Sequence, residues 1–142
     1  MDEAIPLARD IMSHPVVSVR PGQDLFAAAQ LLTRRKLSGA PVMTEDGELV
    51  GVLSEHDVLS CLAQEVFHDE PVPCMVSDVM SQPVVSVGPD SSLFEVVGKL
   101  RETRRVPVVD GGRVVGIVAR RDAARAMVAL MEARSGGSPS PL

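Results

Sequence analysis

The sequence contains no Trp and no Tyr, and its only aromatic side chains are three Phe in 142 residues. Its core must therefore be aliphatic, supplied by Val, Leu, Ile, Ala and Met. No apolar run approaches the roughly 18–20 residues that a membrane-spanning helix needs. The opening MDEAIPLARD is acidic and has no apolar stretch, so a secretory signal peptide is not expected. Cysteine is scarce, with only Cys61 and Cys74. Two thiols in a chain of this length read as structural side chains in a reducing compartment, and the expected location is cytoplasmic. A long basic stripe is also missing. The formal net charge is −5. Residues 1–68 carry ten acids and five bases, residues 69–142 nine of each. That distribution argues against general nucleic-acid binding. Any anionic ligand must be held by a local cluster of donors.

Catalytic groupings are equally sparse. His14, His56 and His68 do not stand at metal-ligand spacing from either Cys, so no metal site is expected. No Gly-rich Walker loop, Ser-His-Asp order or pair of catalytic carboxylates occurs. The chain is not read as an enzyme, and no covalent cofactor is expected.

What the chain does have is an internal repeat. RDIMSHPVVSV (residues 9–19) matches SDVMSQPVVSV (residues 77–87) at an offset of 68. GAPVMTEDGELVGVLSEHD (residues 39–57) matches RVPVVDGGRVVGIVARRD (residues 105–122), with the offset falling to 65. Two residues are lost before the second PV and one at the following turn. Each copy opens with a short extended run, Val16–Val19 or Val84–Val87, and Pro21 or Pro89 then opens a helix. Leu25, Ala28, Ala29 and Leu32 share one helical face, as do Leu93, Val96, Val97 and Leu100. Asp24 and Ser92 are the expected N-caps, and Ser92 with Glu95 has capping-box spacing. A hairpin follows, with two-residue turns expected at Asp46-Gly47 and Gly111-Gly112. A second helix begins near Glu55 or Arg120.

The unit is thus β-α-β-β-α and about 55 residues long, too small to be more than marginal alone. The expected fold class is α/β of the α+β kind, with the two repeats packed sheet to sheet. The expected boundaries are residues 8–67 and 77–134 for the repeats, with 68–76 as linker. Residues 135–142, SGGSPSPL at the end of the chain, are expected to be a disordered tail.

DIMS-PVVSV and DVMS-PVVSV, SGAPV and RRVPV, and the paired GVLSEHD and GIVARRD are together specific. On these residues the chain resembles a tandem pair of cystathionine-beta-synthase-type (CBS) domains, a Bateman module, over roughly residues 8–134. The resemblance implies pseudo-two-fold symmetry, clefts between the repeats, and adenosine-containing ligands bound there. It also implies regulation of an attached or partner protein, and commonly a homodimer.

Ser54 ends a strand and Glu55 opens a helix, whose first N–H groups suit a phosphate. Asp57, one turn on, accepts two hydrogen bonds at once, as vicinal ribose hydroxyls require. The family uses the corresponding hydroxyl and Asp in these two ways. The same spacing also describes a helix-capping box, and the two readings stand side by side. In the second copy Ala119 replaces the hydroxyl and Asp122 remains. Arg120 and Arg121 sit at the unfavourable end of the helix dipole, which a docked anion would reverse. His56 contributes if protonated. An apolar slot near Val17 or Val85 is expected to take the base. Gly39, Ala40 and Pro41 in one copy, and Arg105, Val106 and Pro107 in the other, complete the expected nucleotide-binding set. Gly39 is read as a special backbone angle or a close approach to ligand. Met12 and Met80 are expected as hydrophobic plugs. The two sites are therefore unequal: Arg120, Arg121 and Asp122 suit a polyphosphate, and Ser54 and Asp57 a less charged adenosine ligand. The reading is a stand-alone regulatory module for AMP, ADP, ATP or a related adenosyl ligand, signalling by conformational or dimer change. A ligand-free dimerisation module is the alternative.

Overall fold

The computed structural model describes residues 4–71, 75–82 and 84–135. Cys74, part of the expected linker and nearly all of the expected tail lie outside them. The order of elements is α1 (Ala8–Ile11), α2 (Leu25–Arg35), β1 (Gly39–Met43), β2 (Leu49–Ser54), α3 (Glu55–His68), a 3-10 turn (Val76–Asp78), α4 (Leu93–Lys99), β3 (Arg105–Asp110), β4 (Arg113–Ala119) and α5 (Arg120–Arg134). The fold is α+β, built on two antiparallel hairpins, β1–β2 and β3–β4.

The chain divides into two compact units: residues 17–84, and residues 1–16 together with 85–142. In the first unit, β1 pairs with β2 and carries a register shift at Val42/Met43. Val19 bridges β1 in parallel: its N–H donates to the Pro41 carbonyl (3.1 Å), and its carbonyl accepts from the Met43 N–H (2.9 Å). The expected first strand is thus reduced to a single bridge. On the other edge Ser81 exchanges both backbone hydrogen bonds with Val52 (3.1 and 2.9 Å). The second unit repeats each feature. Val87 bridges β3, the register shifts at Val108/Val109, and Ser13 exchanges both bonds with Ile117 (2.8 and 3.1 Å). Both hairpin edges are covered in this way, which blunts strand-to-strand aggregation.

The leader of each repeat packs on the hairpin of the other. Met12 lies against Gly116 and Met80 against Gly51, so close that an added Cβ on Gly51 would stand 2.7 Å from the Met80 sulfur. Both glycines are buried for this reason.

Each unit has its own aliphatic core. Val19, Leu25, Ala28, Leu32, Ala40, Val42, Leu53, Val58 and Val76 form one. Ala8, Val87, Leu93, Val96, Leu100, Val106, Val108, Val118 and Ala123 form the other. Helices α2 and α4 are capped as their sequences imply. Asp24 accepts from the Ala27 N–H (3.0 Å), and Ser92 and Glu95 form a reciprocal capping box. Pro21 and Pro89 lie in the turn before each helix, which starts four residues further on.

Gly111 and Gly112 both have positive φ (58° and 83°), as a two-residue primed turn demands. The first hairpin differs from expectation. Thr44 and Glu48 close a three-residue loop in which only Gly47 is left-handed (φ 87°). The residue lost between the copies at this turn is the difference between the two loop types.

Candidate functional site: two helix starts and their aspartates

In residues 17–84, β1 and β2 bring Gly39 opposite Ser54, Ala40 opposite Leu53 and Pro41 opposite Val52. Ser54 is the N-cap of α3. Its Oγ accepts from the Asp57 N–H (3.2 Å) and donates to Asp57 Oδ2 (2.8 Å). Ser81 Oγ donates to the same oxygen (3.3 Å). The helix-capping reading of this pair is therefore met by one local network. Asp57 Oδ1 receives no donor from the described residues. The Glu55 N–H is taken by the Ser38 carbonyl (2.9 Å), which leaves His56 as the open N–H of that first turn. The His56 side chain is exposed, and Val17 is half-buried two residues before the Val19 bridge.

The second set repeats this arrangement with different chemistry. Arg105, Val106 and Pro107 stand opposite Ala119, Val118 and Ile117. With no hydroxyl at Ala119, Asp122 Oδ2 instead accepts the Ala119 backbone N–H (2.8 Å). Asp122 Oδ1 lies 3.9 Å from Arg125, and the Asp122 side chain is only 14% exposed. The Arg120 N–H donates to the Arg104 carbonyl (3.1 Å). Val85 is half-buried, two residues before the Val87 bridge.

Several expected site residues turn out to be placed differently. Arg120 has a partner within the protein. Its Nε donates to the Leu100 carbonyl (2.9 Å) and so caps the end of α4, and its side chain lines a hollow with Val97, Leu100 and Met127. Arg121 is exposed in the first turn of α5. Gly39 is an ordinary strand residue, not one of the positive-φ glycines. Ala40, Pro41, Val106 and Pro107 are buried, and the Pro41 and Pro107 carbonyls accept from the Val19 and Val87 N–H groups (3.1 and 3.0 Å). Ser81 is the residue that sequence reasoning missed. Its signal was the Ser that follows Met in both MS-x-PVV leaders, Ser13 and Ser81. Among the described residues no group of three His, Cys, Asp or Glu side chains is placed to hold a metal. No helix among them is long and apolar enough to cross a membrane.

The CBS domain family matches residues 8–64 and 76–129, the two stretches that carry these helix starts. The chain belongs to the CBS domain family. Among CBS relatives, the chain is 37% identical over 133 residues to the CBS domain-containing protein YhcV of Bacillus subtilis, covering 92% of this chain and 89% of that one. Three solved CBS structures are similar over most of the chain. CBSX2 from Arabidopsis thaliana superposes with a TM-score of 0.81 at 27% identity, covering 91% of this chain and 99% of CBSX2. CBSX2 has also been solved in complex with AMP, with a TM-score of 0.77 at 29% identity over 89% of this chain and 98% of that one. The CBS domain pair of protein MJ0100, in complex with 5′-methylthioadenosine and S-adenosyl-L-methionine, gives a TM-score of 0.75 at 28% identity, covering 89% and 99%. Two longer relatives from Methanocaldococcus jannaschii are matched over only 40% and 24% of their lengths.

Proposed function

We propose that this CBS pair is a non-catalytic regulatory module of the cytoplasm that binds an adenosine-containing ligand and signals through its conformation or as a homodimer. The observation that carries the reading is the state of the two aspartates. Each sits half-buried in the first turn of a helix. Each has Oδ2 fixed by the protein: Asp57 by two hydroxyls, Asp122 by a backbone N–H. A carboxylate oriented through one oxygen presents the other to a ribose diol. The AMP-bound CBSX2 and the adenosyl-bound MJ0100 pair support the ligand class.

The two sites are unequal. At Asp57, Oδ1 has no competing cation and the His56 N–H is open, which suits a nucleoside or monophosphate. At Asp122, Arg125 shares Oδ1, and Arg121 is the cation for a phosphate. A regulated effector, if separate, recognises the ligand-dependent form, because a ligand shifts only a state it binds more tightly.

A specific observation favours the second reading, a ligand-free assembly module. Ser54 and Asp57 already satisfy one another, and α3 and α5 leave apolar side chains in solvent. Thermal melting separates the two readings. At 100 times its Kd a ligand adds about 2.7 kcal/mol, a rise of several degrees in a chain of this size. The proposal expects that rise with AMP or S-adenosylmethionine. No rise with AMP, ADP, ATP, S-adenosylmethionine or NAD at millimolar concentration leaves assembly alone.

A further inference from the structure

The methionine of each leader lies flat on a buried glycine of a hairpin, Met80 on Gly51 and Met12 on Gly116. Met80 is half-buried and packs against the core that holds Val42 and Leu53. Its sulfur, γ-carbon and β-carbon stand 2.7, 3.0 and 3.3 Å from where a Cβ on Gly51 would be. The thioether therefore has no room for another atom on that side.

What depends on the methionine differs between the two units. After Met80, Ser81 exchanges both backbone hydrogen bonds with Val52 (3.1 and 2.9 Å), and Gln82 Nε2 donates to the Val50 carbonyl (2.6 Å). Ser81 Oγ then reaches Asp57 Oδ2 (3.3 Å). The seat of Met80 thus places a donor that orients Asp57. After Met12, Ser13 makes the same backbone exchange with Ile117. There, however, Asp122 Oδ2 is held by the Ala119 N–H at its own helix start. A disturbance at Met80 reaches its aspartate through Ser81, whereas Asp122 keeps its holder when Met12 is disturbed.

We propose that Met80 is an oxidation site through which a peroxide lowers ligand affinity at Asp57. This rests on the adenosyl reading of Asp57 given above and adds its regulation. The sulfur lone pair attacks one peroxide oxygen. An S–O bond forms as the O–O bond breaks, and the leaving hydroxide takes the remaining proton and departs as water. Sulfur loses the two electrons that the peroxide gains. The sulfoxide is polar and bulkier than the thioether. It loses the apolar seat on Gly51, the leader lifts from β2, and Ser81 withdraws from Asp57. Reduction back to the thioether restores the contact.

The test treats the full chain with graded hydrogen peroxide. Peptide mass spectrometry follows each methionine, amide exchange follows Val52 and Ser81, and AMP titration follows the site that depends on Asp57. The more exposed Met75, Met127 and Met131 (43%, 42% and 61%) are expected to oxidise first, with no change at Val52 and Ser81. Once Met80 is oxidised, exchange at both amides should quicken. AMP affinity should fall about tenfold, as one lost hydrogen bond to a carboxylate implies. Met80→Leu, of similar volume, should keep its affinity through the treatment, and Met12→Leu should lose affinity as the unaltered chain does. Equal loss in Met80→Leu overturns the proposal, as does complete Met80 sulfoxide with unchanged exchange at Val52 and Ser81. No AMP binding before treatment overturns the ligand reading, and exchange at those two amides still decides whether Met80 holds the leader in place.

Discussion

Asp57 concentrates the local chemistry of the first unit, because three hydrogen bonds from two parts of the chain converge on it and on Ser54. Replacing Asp57 with Ala removes the acceptor of the Ser54 and Ser81 hydroxyls and should cost about 1 kcal/mol of stability. It should also remove the acceptor for a ribose. Ser81→Ala removes one donor to the same oxygen and should leave the ligand bound more weakly; urea unfolding beside a ligand titration reads both effects. Gly116 and Gly51 make a different residue-scale prediction. Each is closed off by a Met of the opposite repeat, so Gly116→Ala should cost about 1–3 kcal/mol through overpacking, read as a lower urea midpoint at unchanged slope. Ser54 and Asp57 were legible in the sequence because their spacing is local. Ser81 was not, because its partner lies 24 residues away and only the folded sheet edge brings them together. The partner of Arg120 was not legible for a similar reason. Dipole reasoning treats the helix start as isolated, whereas the carbonyl end of α4 lies within reach and takes the guanidinium.

At the scale of elements, most of the pattern was visible because caps, apolar faces and turn glycines are written within a few residues of where they act. Asp24 and Ser92 cap α2 and α4 as their spacing implies. Substituting either with Ala should cost about 1 kcal/mol, seen as a drop of a few degrees in the melting midpoint. Arg120→Ala should cost a similar amount by leaving the Leu100 carbonyl without its donor, with no effect on the residues of the first unit. The short parallel bridges at Val19 and Val87 were not legible as single bridges. A run such as Val16–Val19 has strand composition, but pairing depends on how much of it reaches the neighbouring strand, and here one residue does.

At the scale of the whole molecule, sequence repeat and compact unit do not coincide. The sequence divides by similarity, which places residues 8–16 with the first hairpin. The contacts place them with the second: Ala8 is fully buried in the core that holds Val106 and Val118, and Met12 covers Gly116. Similarity along the chain records which segments share an origin, and packing records which segments share a core, so the exchange of leaders was invisible before the fold. Deleting residues 1–13 is therefore expected to lower hydrogen-exchange protection across residues 85–135 and to spare residues 17–70. Loss confined to residues 17–70 would contradict that assignment. The central claim is that two repeats of one motif hold two unequal aspartates, each with Oδ2 held by the protein and Oδ1 proposed to meet a sugar. Calorimetric titration of AMP into the unaltered chain and into the Asp57→Ala and Asp122→Ala variants tests it most directly. The account predicts saturable heat that Asp57→Ala abolishes at the tighter site and Asp122→Ala largely leaves; identical isotherms for all three proteins would contradict it.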